Sequence, residues 1–171
     1  TQYKPTFLKQ MLKKYYPDSI IYVDADAIFC QYPKYFDQLD SESAVNIAVH
    51  ILDHSKRRRK NHAPEMLSGT IFLKNTDTTN QIVDKWIQKC KEGGHLWDQR
   101  ALAAILVEYK YHLLPEEYCM IYDYMADVKN PVIKHFQASR EERRKSTNQN
   151  KRAQKVTTTN GVIRIKRAHL K

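Results

Sequence analysis

Two aspartates one residue apart, Asp24 and Asp26, follow the apolar run Ile20-Ile21-Tyr22-Val23 and precede Ala27-Ile28-Phe29. Carboxylate oxygens are the ligands a hard divalent cation takes. Two like charges at one strand end are costly unless a cation or solvent offsets them. The same triplet also occurs as a plain loop or helix cap, and in that reading it does no chemistry. A run of this length and branching buries both faces in a parallel sheet. Open α/β sheets place ligands at the carboxyl edge of such strands. There one carboxylate binds an ion while its neighbour holds a water or a substrate hydroxyl, and a diphosphate is the natural companion of that ion.

The elements that would position this pair follow from periodicity. Phe7, Leu8, Met11 and Leu12 predict a helix over residues 6–15, stopped by Pro17-Asp18. Gln31 to Leu39 reads as a turn and short helix, and Asn46 to Ile51 as a second strand. Residues 53–65 carry five consecutive cations, Lys56 to Lys60, without apolar periodicity, and read as a loop. Ile71-Phe72-Leu73 is a strand preceded by Ser68-Gly69-Thr70. A helix with Ile82, Val83, Trp86 and Ile87 follows, ended by Gly93-Gly94. Trp97 to Tyr109 is another, opened by Asp98 at its positive end, and Tyr118 to Tyr124 is extended. Apolar content collapses over residues 141–159, which reads as helix extension or disorder, and Val162 to Ile165 is a last strand. The order is mixed α/β, without internal repeats.

Four segments then stand in order: Lys4-Pro5-x-Phe7-Leu8 through Tyr22-Val23-Asp24-Ala25-Asp26-Ala27; Leu67-Ser68-Gly69-Thr70-Ile71-Phe72-Leu73-Lys74-Asn75-Thr76; Trp97-Asp98-Gln99-Arg100-Ala101-Leu102; and Ile133-Lys134-His135-Phe136-Gln137-Ala138-Ser139-Arg140. Together they resemble the motif series of a GT-A nucleotide-sugar glycosyltransferase, over about residues 3–144. The resemblance implies a Rossmann-like mixed sheet flanked by helices over residues 1–144, without the first nucleoside-binding βαβ portion. Residues 145–171 are then a basic tail or a linker to a further region.

The resemblance further implies a Mn or Mg ion on Asp24 and Asp26 with His135 as third ligand. It assigns donor contacts to Lys4, Asp24, Ala25, Asp26, Ser68, Gly69 and Arg140, with Lys134 as a further phosphate contact. Asp98 and Gln99 become the catalytic pair, the acid gripping donor-sugar hydroxyls and the amide lying near the anomeric carbon. The donor is a nucleotide sugar, with uridine as base, and the Asp-Gln pair with the late histidine is most like retaining members. Without the resemblance, His135 is a satisfied core histidine and Asp98 a helix cap. An inverting reaction would need a general base, and Asp98, Asp53 and Glu65 all have that chemistry.

With 171 residues the chain can bury one core. From residue 139 onward eleven Lys and Arg face two Glu, so this segment carries +9 of the formal +10 and residues 1–138 only +1. The tail and the Lys56 to Lys60 run offer an alternative, nucleic-acid binding on a degenerate transferase fold, or an anionic acceptor surface. A phosphotransferase or nuclease on the same aspartates leaves the Ser68-Gly69 and Trp97-Asp98-Gln99 segments unexplained. Cys30, Cys90 and Cys119 have no metal-type spacing, and their odd number points to a reducing, cytoplasmic compartment. No apolar stretch approaches the roughly 20 residues of a membrane span, and no signal peptide is visible.

Overall fold

The computed structural model describes residues 3–55, 57, 61–92 and 98–136, and the backbone of 157–159 and 162–164. The chain divides into two compact units, 1–136 and 137–171. In the second, β8 (Thr157–Thr159) and β9 (Val162–Arg164) form an antiparallel pair.

The first unit runs α1 (Lys4–Lys14), β1 (Ile20–Val23), β2 (Ala27–Phe29), α2 (Tyr35–Ser41), β3 (Ile47–Leu52), β4 (Glu65–Leu73), α3 (Asp77–Glu92), α4 (Asp98–Leu106), β5 (His112–Leu113), a 3-10 turn (Glu116–Tyr118), β6 (Met120–Ile121) and β7 (Ile133–His135). Helix α1 starts two residues before the expected position because Pro5 pre-sets the backbone of its first turn. A four-stranded mixed sheet has the order β1-β4-β3-β5, and a three-stranded one the order β2-β7-β6.

The apolar run around the aspartates is therefore not one strand of a parallel sheet. Strand β1 pairs antiparallel with β4 and is only partly buried, and after the Asp24-Ala25-Asp26 turn the chain enters the other sheet. The run breaks because two acids one residue apart do not continue a buried ladder.

Alternation along β3 and β4 divides the interior. Ile47, Val49, Ile71 and Leu73 face Leu8 and Leu12 of α1, Ile82, Val83 and Trp86 of α3, and Leu102 and Leu106 of α4. Ala48 and Phe72 face the opposite cluster with Phe36, Leu39, Tyr118 and Ile133. Each such aliphatic side chain contributes about 1.5–3 kcal/mol of burial. The Phe36 ring stacks on Phe72 at 6.0 Å and meets Tyr118 edge-on at 5.1 Å, tying α2 and the 3-10 turn to the sheet.

Strand β4 begins earlier than its apolar triplet predicts, so Ser68 and Gly69 lie within it. Its pairing with β3 jumps from Ala48↔Phe72 to His50↔Leu67, leaving one residue on β3, Val49, against four on β4. Residues 68–71 thus bulge from the β3 ladder, while Thr70 and Ile71 stay paired with β1. Bulges of this kind re-aim side chains at strand rims.

Candidate functional site

The turn from Asp24 to Asp26 bridges the two sheets. Val23 pairs with Thr70 in one, and Ala27 pairs with His135 in the other. Backbone bonds hold both ends: Asp24 N–H donates to Gly69 O at 2.8 Å, and Phe136 N–H donates to Asp26 O at 3.1 Å. Ala25 is the exposed tip. This places one ligand atom each from Asp24, Asp26 and His135 within 4.8 Å of one another.

The cradle has three features that fit a divalent cation. Gly69 lies against it: a Cβ there would come to 3.2 Å from Asp24 Oδ2 and 3.3 Å from His135 Nδ1, so a side chain would fill the space an ion needs. The remaining Asp24 oxygen, Oδ1, is already taken by Tyr22 Oη–H at 2.8 Å and Lys4 Nζ at 3.2 Å.

The third feature is the histidine tautomer. Thr70 Oγ1–H donates to Tyr118 O at 2.9 Å, which spends its one hydrogen. The 2.8 Å contact between Thr70 Oγ1 and His135 Nε2 then needs the hydrogen on Nε2, leaving the Nδ1 lone pair toward the aspartates. Burial lowers the His135 pKa, with Asp24 and Asp26 pulling it up and Lys4 adding to the lowering, so the neutral, ligating form is favoured. The Tyr22 pKa is raised, first by burial and then by its bond to Asp24, which keeps the hydroxyl a donor.

Lys4 is buried at the start of α1 and organises the flank. Its ammonium donates to Ser68 O at 2.9 Å and Ser68 Oγ at 3.1 Å, lies 3.4 Å from Asp98 Oδ2, and stands 4.7 Å over the Tyr22 ring. Asp98 opens α4, where its Oδ1 accepts Gln99 N–H at 2.8 Å, a bond that caps the helix start as well as engaging the carboxylate. The Trp86 indole donates to Asp98 O at 2.8 Å. Gln99 is oriented at both ends: Oε1 accepts Ser68 N–H at 3.2 Å and Nε2 donates to Glu65 at 2.7 Å.

Lys4, Asp24, Asp26, Ser68, Gly69, Asp98, Gln99 and His135 thus form one connected cluster, whereas Arg140 lies outside the described residues. Lys134 does not join it. As the strand neighbour of His135 it takes the opposite face, with its ammonium 4.3 Å from the Tyr122 ring centroid and 5.3 Å from that of Phe136. In the basic run, Arg57 is buried and bonded to Glu116 at 3.0 Å and Asp127 at 3.4 Å, so that cation serves the fold rather than a phosphate. Lys56, Arg58, Arg59 and Lys60 lie outside the described residues.

Sequence reasoning missed Tyr22 and Thr70. Tyr22 had a usable signal, since on a strand it shares a face with Asp24 two residues on. Thr70 had none, because its partners are 48 and 65 residues away. The described cysteines are free, Cys30 exposed and Cys90 and Cys119 buried, with burial pushing the Cys119 thiol up to about 12. Among the described residues, no helix is long and apolar enough to cross a membrane.

A family model for nucleotide-diphospho-sugar transferases matches residues 1–155. Among solved structures, the apo-form of the glycosyltransferase GlyE of Streptococcus pneumoniae TIGR4 is similar with a TM-score of 0.55 and 15% identity, covering 77% of this chain and 36% of that one. A second GlyE structure gives 0.55 and 19% identity, over 76% of this chain and 36% of that one. At such identity the likeness is one of fold, and this chain spans about a third of the GlyE length. No curated protein matches.

Proposed function

The chain belongs to the nucleotide-diphospho-sugar transferase family, and from that premise we propose that it transfers a sugar from a nucleotide-diphosphate donor, a UDP-sugar, to an acceptor hydroxyl with the help of a divalent cation. The observation that carries this reading is the convergence of Asp24, Asp26 and His135 beside the Gly69 gap. When bound, the cation neutralises the donor diphosphate and stabilises the charge gathering on the leaving group. An imidazole beside two carboxylates suits Mn better than Mg.

The chain's own residues do the rest. Lys4 and Tyr22 take one oxygen of Asp24 and so leave the other for the cation. Ser68 and Gly69 present the bulged edge of β4 to the donor, with Ala25 at the tip of the facing turn. Asp98 and Gln99, fixed from Lys4, Trp86 and the Ser68 amide, flank the donor sugar.

We read the transfer as retaining. The Asp98-Gln99 pair and His135 favour that reading, and two of the carboxylates with the chemistry of a base are engaged: Asp98 by Lys4 and its own helix start, and Asp53 by Ser55 N–H and Oγ–H at 2.8 Å each. The charge of residues 139–171 supports an acceptor carried on an anionic molecule or surface.

The test is calorimetric titration of UDP and UDP-sugars, with and without Mn, into the protein and its Asp24→Ala, Asp26→Ala variant. Mn-dependent heat in the first that disappears in the second is expected. Equal binding with and without Mn, or in both proteins, would overturn the reading.

A further inference from the structure

We propose that Glu65 is the residue that receives the acceptor's hydroxyl group, held for that task by His54, Tyr124 and Gln99. The proposal rests on the transferase reading above.

Glu65 opens β4 with its side chain 45% exposed. A glutamate that open ordinarily samples many rotamers, and holding it in one costs conformational entropy. Here one oxygen is held by a hydrogen bond and the other faces a buried imidazole. Oε1 accepts the Gln99 amide at 2.7 Å, and Oε2 stands 3.5 Å from His54 Nε2. A carboxylate only accepts, so His54 carries the hydrogen that faces it. His54 is itself buried, with Nδ1 2.6 Å from the Tyr124 hydroxyl and the two rings meeting edge-on at 5.6 Å. Gln99 is fixed in turn, because its Oε1 is committed to the Ser68 amide.

Three parts of the chain, 70 residues apart at the widest, thus fix one surface carboxylate.

Its place gives the fixation a purpose. Gln99 links Glu65 to Ser68, and the next residue, Gly69, touches Asp24 and His135. The carboxylate is therefore linked to the cation cradle through the Gln99 side chain and the Ser68-Gly69 backbone. An ionised carboxyl has about four lone-pair sites, and Gln99 takes one. Those left can accept O–H donors. A hydroxyl fits them and a phosphate is repelled, so an anionic acceptor would meet Glu65 with a sugar or other polyol hydroxyl and keep its charges elsewhere.

The test measures partition of a donor between water and a hydroxyl probe. With Mn and UDP-glucose or UDP-galactose, methyl glycosides at rising concentration are expected to divert the wild-type protein from donor hydrolysis to transfer. Glu65→Gln keeps an oxygen for Gln99 and puts an amide where the second oxygen was. It should lower the transfer-to-hydrolysis ratio by about tenfold or more, with a higher KM for the glycoside. Glu65→Asp, charged but one methylene short, should lower it in the same direction, and stands in should the first variant not fold. A ratio unchanged in both variants, or donor hydrolysis that no glycoside diverts in the wild type, would overturn the proposal. Absence of any Mn-dependent UDP binding strikes the transferase reading itself, and the proposal with it.

Discussion

Thr70 decides which nitrogen of His135 faces the aspartates, although it touches neither of them. Its hydroxyl gives its hydrogen to Tyr118 O and accepts from His135 Nε2. Thr70→Val keeps the shape and removes both bonds. The histidine then loses the partner that fixes its tautomer, and outer-shell losses of this kind weaken metal binding by about 10- to 100-fold. Leaving the buried Tyr118 carbonyl unpaired should also cost about 1–3 kcal/mol of stability. Electron paramagnetic resonance of free Mn and a denaturant titration measure the two effects. Full Mn affinity in the variant would deny Thr70 this role. At this scale the aspartates were legible because two like charges after an apolar run call for an explanation. His54 and Thr70 were not, since a histidine in a polar loop and a threonine in a strand acquire meaning only from partners distant in sequence.

Helix α4 brings Asp98 and Gln99 to the site, and its start is set by α3. Trp86 is fully buried in the helical layer and its indole donates to the Asp98 carbonyl at 2.8 Å. Trp86→Phe keeps an aromatic ring and removes that bond, leaving the carbonyl unpaired. A stability loss of about 1–3 kcal/mol is expected, with donor hydrolysis reduced more than UDP affinity because Asp98 and Gln99 lose their placement. Equal losses in both would show that α3 supports the fold alone. The interior strand β3 behaves differently. His50 Nδ1 bonds Leu114 O at 2.8 Å, and burial lowers its pKa below the ordinary value near 6.5. The unfolded chain then binds the proton first, so stability is whole above pH 6.5 and drains as pH falls toward the folded pKa. In His50→Gln, chemical denaturation between pH 7.5 and 5.5 should show a smaller loss than in the wild type, and an equal loss would assign the acid sensitivity elsewhere. The long periodic helices were legible in the sequence. The two-residue strand β5 and the early start of β4 were not, because short pairings are selected by neighbouring strands and not by local periodicity, whereas β6 falls inside the segment read as extended.

Charge is segregated across the whole molecule. Residues 1–138 carry a formal +1, which gives the globular unit little long-range pull, and one cation of its basic run, Arg57, is spent on Glu116 and Asp127. Residues 145–171 hold eight Lys and Arg and no acid. At physiological salt, fields fall off within about 8 Å, so attraction of an anionic partner belongs to the segment that carries the charges. With a single-stranded 20-nucleotide RNA as probe, log affinity should fall with log salt at a slope no steeper than about −6, the limit for eight neutralised phosphates. Replacing those eight cations by Gln should flatten the slope toward zero while Mn-dependent UDP binding stays as in the wild type. A slope that survives the replacement would move polyanion contact to the first unit, and a slope near zero in the wild type would remove the anionic acceptor from the proposal. Because the proposed donor site draws on Lys4 through His135 and the charge lies later in the sequence, the two measurements separate catalysis from capture.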